Sequence, residues 1–198
     1  MRDQKMPGRP REFDDTEMLR KIMMLFWSNG FEGVSLSDIM AETGLRKASL
    51  YAAFGDKRSM YLNALAQYHS DVVADAARAL RDETSPPLDR IEAFLTAPLR
   101  AAQAQDRTGC FLCNASADQA DLDEDTKAQV RTGFEQLGRA LESALSDAQP
   151  QLSEADRAAR AQALLALYAG FRILVRSGSA IAPLEAAIAE ALEMAKRG

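Results

Sequence analysis

An all-α fold is what this sequence predicts, on three observations. Apolar residues recur three and four positions apart through most of the chain, the period of a helix with one buried side. Alanine is abundant and runs of β-branched residues are scarce, which favours helix. Gly, Pro, Ser and Asp fall where the periodic stretches start and stop. About nine helices result, in an N-terminal domain over residues 1–60 and a C-terminal domain over residues 61–198.

The first eleven residues hold Arg2, Lys5, Arg9 and Arg11, and Pro10 bars a helix there. They read as a basic arm able to reach phosphates or a minor groove. The first helix spans about 15–28, capped by Asp14 or Asp15, with Met18, Leu19, Ile22, Leu25 and Phe26 as its stripe. Asn29-Gly30 ends it, and Trp27 packs at the edge of the core.

Ser35 caps the second helix, with Asp38 three residues on closing a capping box. Gly44 supplies the left-handed residue that stops it. Leu45, Leu50 and Phe54 point the third helix inward, and Arg46, Lys47, Ser49 and Ala53 are left facing out. A short helix with a cationic outer side, crossed by another through a Gly turn, is a helix-turn-helix suited to the major groove.

The fourth helix starts near Asp56 and runs to about Leu80 through Tyr61, Leu62, Leu65 and Tyr68. If continuous it is about 35 Å long, and His69 on it reads as structural or exposed. Ser85-Pro86-Pro87 breaks the chain, and the fifth helix covers about 88–103, with Pro98 expected to kink it. A short apolar helix follows Gly109. The acidic stretch 118–125 lacks the Gly and terminal Glu of a calcium loop and reads as a solvated connection. The seventh helix covers about 123–148, with Val130, Phe134, Leu137, Leu141 and Leu145 on one face. The eighth covers about 153–177, capped by Ser153, and the ninth follows Pro183. This last pair has more apolar face than one side of a bundle buries.

Composition narrows the function. Cys110 and Cys113 are the two cysteines, too few for a disulfide scaffold or a four-thiolate zinc site. No apolar run approaches the roughly 18 residues of a membrane span, and the N-terminus lacks the apolar core of a signal peptide. A cytoplasmic protein with no membrane partner is therefore expected. Net charge is -5, yet residues 1–60 hold ten Lys/Arg against nine Asp/Glu while the rest hold fourteen against twenty. An acidic body with a locally basic end would orient on a duplex. No nucleophile–base set, metal cluster or phosphate-cradling Gly loop is present in the sequence. The chain reads as no enzyme, with no metal and no cofactor.

Residues 41–57, AETGLRKASLYAAFGDK, resemble the signature of the TetR family of bacterial transcriptional regulators, and residues 26–35 fit the same pattern. The resemblance covers about residues 12–65. It implies that Tyr51 and Lys57 grip phosphates, that Lys47 and Ser49, with Arg46 beside them, meet base edges, and that Ser35 and Ser37 touch phosphate or groove. Ala52 and Ala53 stand where the family often has larger side chains, which reduces the direct contacts available. The final two helices would pair with their copies, and the partner would be a palindromic double-stranded operator.

A repressor released by an unknown small-molecule effector is the reading that follows. Its pocket would lie among the fourth to eighth helices, with Phe94, Leu99, Cys110, Phe111, Cys113, Asn114, Phe134, Tyr168 and Phe171 as candidate lining. A second reading uses the thiols. Residues 109–114, GCFLCN, resemble an element of a TetR subgroup near regulators of electrophile and copper responses. Arg107 and a helix start beside Cys110 or Cys113 would favour thiolate. Buried, inert cysteines remain the plain alternative.

Overall fold

One long rod serves both halves of the molecule. The computed structural model describes residues 14–118 and 124–197. The basic arm at 1–11 and most of the acidic stretch 118–125 lie outside the described residues. The helices are α1 (Asp15–Asn29), α2 (Leu36–Thr43), α3 (Lys47–Phe54), α4 (Lys57–Tyr68), α5 (Ala74–Leu80), α6 (Pro87–Gln103), α7 (Phe111–Asp118), α8 (Glu124–Ala148), α9 (Glu154–Arg176) and α10 (Ile181–Lys196). A π turn, His69–Val73, joins α4 to α5 without a break, so ten segments make nine rods. No strand occurs among the described residues.

The π turn has a cause in the sequence. Tyr61, Leu65, Tyr68, Val73, Ala77 and Leu80 are the buried stripe of this rod. Their steps are four, three, five, four and three. A step of five overshoots one α turn, so a regular helix would swing Ala77 and Leu80 off the core. Inserting one residue through an i→i+5 bond, Ala74 N–H to the His69 carbonyl, restores the phase. His69 lies in that turn, half-buried against Gly133 of α8, where a Cβ would come within 3.0 Å of its ring. Burial pushes its pKa down, opposed by a bond to the Gln129 backbone.

Other departures from the expected elements have equally local reasons. α6 runs through Pro98 to Gln103, the end expected of it. Arg100 Nη2 donates to the Ala93 carbonyl at 2.7 Å, next to the acceptor that proline leaves without an N–H. α10 begins at Ile181 rather than after Pro183, because N–H groups of a first turn have no intrahelical partner to lose. α9 has the length and mean hydropathy, 1.3 over its most apolar window, of a membrane span, where no such run was expected. Leu164, Leu165, Tyr168, Phe171 and Val175 spend one side of it on the protein core.

α1 packs along α4, while α6, α8, α9 and α10 form a bundle around the far end of the rod. Arg90 is a buried cation at the joint: its Nη1 donates to the Leu80 carbonyl at 2.9 Å and its Nη2 to Asp147 at 2.9 Å. It thereby caps α5 and ties α6 to α8.

Candidate nucleic-acid interface and effector region

Two short helices and their caps set the outer face. Asp38 Oδ2 accepts from the Ser35 N–H at 2.8 Å and the Ser35 hydroxyl at 2.7 Å, and the Asp38 N–H donates back to Ser35 Oγ at 3.2 Å. The Ser35 hydroxyl and N–H hold the Asp38 carboxyl below the usual carboxylate range. Ser35 thus serves the cap, while Ser37 is exposed beside it. At the other end of α2, Gly44 takes φ +69° and donates to the Met40 carbonyl at 2.9 Å. An L side chain at that φ costs about 1 kcal/mol. Buried Thr43 completes the turn, donating from Oγ1 to Ile39 at 2.7 Å and accepting from the Leu45 N–H at 3.3 Å. Sequence reasoning gave Thr43 no part, although a hydroxyl directly before the turn glycine was the available signal.

Leu50 and Phe54 fix α3 from beneath. Arg46, Lys47 and Ser49 are exposed, and Tyr51 is 38% exposed. Ala53 is half-buried and packs on the core instead of facing out, because it lies three residues from Leu50 on the same side. Ala52 remains outside. No side chain caps the start of α3, whereas Ser35 caps α2 and Asp56 caps α4, accepting the Ser59 N–H at 2.8 Å. The open N–H groups and positive helix end therefore add to Arg46 and Lys47, an arrangement that attracts phosphate. Lys47 Nζ lies 5.8 Å from the Tyr51 ring centroid, one turn on. Lys57, at the first position of α4, holds its Nζ 4.3 Å over Phe31, so its stem is pinned before any ligand arrives.

Behind that cation the aromatic rings touch in sequence. Phe31 meets Tyr61 edge-on at 5.2 Å, Tyr61 meets Phe111 at 5.6 Å, and Phe111 meets Tyr68 at 5.7 Å. Tyr68 then meets Trp27 at 4.9 Å. α7 is also sewn to the end of α1. Asn114 Nδ2 donates to the Trp27 carbonyl at 3.0 Å and to Thr108 at 3.1 Å. Arg176 reaches Thr108 at 2.6 Å and Ser28 at 3.2 Å.

Cys110 lies directly before α7 and is buried; Cys113 is half-buried. The Tyr68 hydroxyl donates to Cys110 Sγ at 3.6 Å. The Cys113 thiol lowers the Cys110 pKa most, burial opposes it, and the Cys113 N–H, the Tyr68 hydroxyl and the Arg172 charge lower it further. Cys113 is pushed up correspondingly, first by its bond to Cys110 and then by burial. The first proton loss belongs to the pair.

A cavity of about 470 Å³, open on one side, lies between α5, α6 and α9. Phe94 and Tyr168, stacked at 4.0 Å, line it with Leu80, Arg90, Arg100, Arg172 and small residues that include Ala76, Ala93 and Ala97. The other candidate lining residues lie elsewhere. Leu99 faces α10, Phe111 is in the ring cluster, Asn114 is in the α1 joint, Phe171 is buried in α9, and Phe134 is half-buried on α8.

Residues 18–64 match the family profile described as bacterial regulatory proteins, tetR family. The chain is 32% identical over 108 residues to the HTH-type transcriptional repressor ComR of Escherichia coli strain K12, covering 54% of this chain and 51% of that protein. A second repressor of that strain, BdcR, is 31% identical over 54% of this chain and 55% of its own length. The chain thus spans about half the length of the curated relatives it matches. Reduced E. coli NemR superposes with a TM-score of 0.78 at 26% identity, over 90% of this chain and 95% of that one. A cysteine mutant of the TetR family regulator CifR, solved with 26-base-pair operator DNA, gives 0.80 at 22% identity over 93% and 98%. With its helix-turn-helix in α2 and α3, the chain carries over residues 18–64 a DNA-binding domain of the TetR family of bacterial transcriptional regulators, joined to an all-α body.

Proposed function

We propose that the protein is a cytoplasmic, non-enzymatic transcriptional repressor that binds a palindromic operator as a homodimer and leaves it when a small molecule occupies the C-terminal domain. The observation that carries this is the outer face of α3: Arg46, Lys47 and Ser49 exposed around an uncapped helix start, with Tyr51 and Lys57 beside them. Residues 1–60 would form the DNA-binding domain and 61–198 the effector and dimer domain. Arg46, Lys47 and Ser49 would read base edges, and Tyr51, Lys57, Ser35 and Ser37 would hold backbone. The α7 joint supports a route for release. Displacing α7 would strain Asn114 and Arg176 against the end of α1, which packs on α2, and move the two recognition helices of a dimer off a spacing of about one turn.

Lys57→Ala should weaken operator binding by a similar factor for every sequence and reduce the salt slope by about one counterion. Titrations by fluorescence anisotropy at several salt concentrations check this. A loss confined to one operator variant contradicts the phosphate role.

A second reading is favoured by the cluster of Cys110, Cys113, Tyr68 and Arg172, and by the reduced NemR structure as a neighbour. In it an electrophile or oxidant at Cys110 or Cys113 triggers release. Because the Cys110 pKa is lowered, its thiolate persists below the ordinary thiol range and is lost as pH falls through the lowered value. Relative to its rate at about pH 9, alkylation by N-ethylmaleimide, followed by mass spectrometry, should therefore change little towards neutral pH and slow only towards acid. Cys110→Ser should abolish electrophile-driven release while operator binding persists. Unchanged release in both Cys110→Ser and Cys113→Ser ends this reading.

A further inference from the structure

Arg172 is a cation with no carboxylate beside it among the described residues. It follows Tyr168 by one turn of α9 and lines the cavity. Its Nε donates to the Tyr168 hydroxyl at 2.9 Å and its Nη1 to the Gly109 carbonyl at 3.4 Å. Its Cζ lies 5.3 Å from the Tyr168 ring centroid. No carboxylate among the described residues pairs with it. Arg90 on the same cavity wall shows the contrast, since Asp147 satisfies it at 2.9 Å.

A half-buried guanidinium whose hydrogen bonds go to a tyrosine hydroxyl and a backbone carbonyl, with no carboxylate beside it, favours a ligand that brings one. The remaining lining suits an apolar body: Val72, Ala76, Ala93, Ala97 and the Phe94 ring. The two lining carboxylates, Asp82 and Asp89, lie where α5 hands over to α6, and Asp82 already accepts from Thr84 N and Oγ1 at 3.1 and 2.7 Å. Arg100 also lines the cavity, exposed, with Thr96 and Ala93 as its acceptors among the described residues. Since Asp147 already takes Arg90, Arg172 and Arg100 are the lining cations left for a ligand.

We propose that this cavity selects a small organic monoanion, a carboxylate with an apolar body, the carboxylate on Arg172 and the body against Phe94 and the alanine wall. The proposal rests on the reading of this region as an effector site and adds the chemical class. It also gives binding a mechanical consequence. Arg172 contacts the residue before Cys110, so an anion that draws its guanidinium into the cavity releases the Gly109 carbonyl at the start of α7.

The test uses three probes with one body: 3-phenylpropionate, 3-phenylpropionamide and 3-phenylpropylamine. Calorimetry and thermal shift on the full chain at neutral pH should show the acid binding about tenfold or more tighter than the amide, and the amine not binding. Arg172→Gln should erase the preference for the acid, and Arg172→Lys should keep part of it. Ala97→Phe, which fills the cavity and leaves Arg172 in place, should abolish binding. The wild-type comparison and Ala97→Phe stand even if the Arg172 variants fold poorly. Equal binding of acid and amide, a preference for the amine, no binding of any probe at millimolar concentration, or undiminished acid binding to Ala97→Phe would each overturn the proposal. Operator release separates it from the reading beneath: the acid bound without release keeps the anion site and removes the effector role. Release by the amide at equal affinity keeps the effector role and removes the anion site.

Discussion

Replacing Phe111 by alanine should destabilise the protein by about 3–5 kcal/mol. Phe111 is fully buried at the first position of α7, and its ring meets Tyr61 and Tyr68 edge-on. The loss combines transfer free energy, an unfilled cavity and two aromatic contacts worth about 0.5–1.5 kcal/mol each. For a chain of this size the melting temperature should fall by roughly 6–20 °C. Phe111→Leu keeps most of the volume and should lose little beyond the ring contacts. Because Tyr61 also packs on Phe26 and Phe31, the damage should reach the helix-turn-helix: amides of α1 and α7 should lose hydrogen-exchange protection together. A shift under 2 °C, or protection lost in α7 alone, would contradict this coupling.

If the proposed homodimer forms through α9, Ile173→Glu with Leu174→Glu should leave a monomer and lower operator affinity about a hundredfold or more. These are the large apolar side chains left exposed on α9, at 57% and 43%. Ala166, Leu167 and Gly170 precede them, and a Cβ on Gly170 would meet nothing within 4 Å. A face of small and branched residues allows close helix approach, and two acids per copy would bring four charges into it. In a dimer the second half-site is bound as an intramolecular step, which is worth about 10²–10⁴ in affinity. The protomer should keep its fold, since neither side chain supports the core. Sedimentation shows the mass and anisotropy the affinity; an intact dimer with unchanged affinity would place the interface elsewhere.

The helix-turn-helix was legible because its determinants are local. Ser35 and Asp38 lie three apart, Gly44 ends α2, and Leu50 and Phe54 fix one side of α3. The π turn was present in the buried pattern, but a step of five shows only once Val73 is known to be buried rather than Val72. The cavity was harder to find. Large side chains such as Phe111 and Phe171 were natural candidates to line it, yet they fill the space they occupy. The opening lies where Ala76, Ala93 and Ala97 leave room, and single alanines in an alanine-rich chain carry no signal. The α1–α7 joint was invisible for another reason: Asn114 meets Trp27, 87 residues away, through a backbone carbonyl.

The most direct test of the central claim, that the outer face of α3 reads bases in two successive major grooves, is missing-base interference on an operator fragment with wild type and Lys47→Ala. Wild type should show two symmetric sets of essential bases about one helical turn apart, and Lys47→Ala should lose one base from each set while the backbone footprint stays. An interference pattern that Lys47→Ala leaves intact, or a single set without its mate, would contradict the claim.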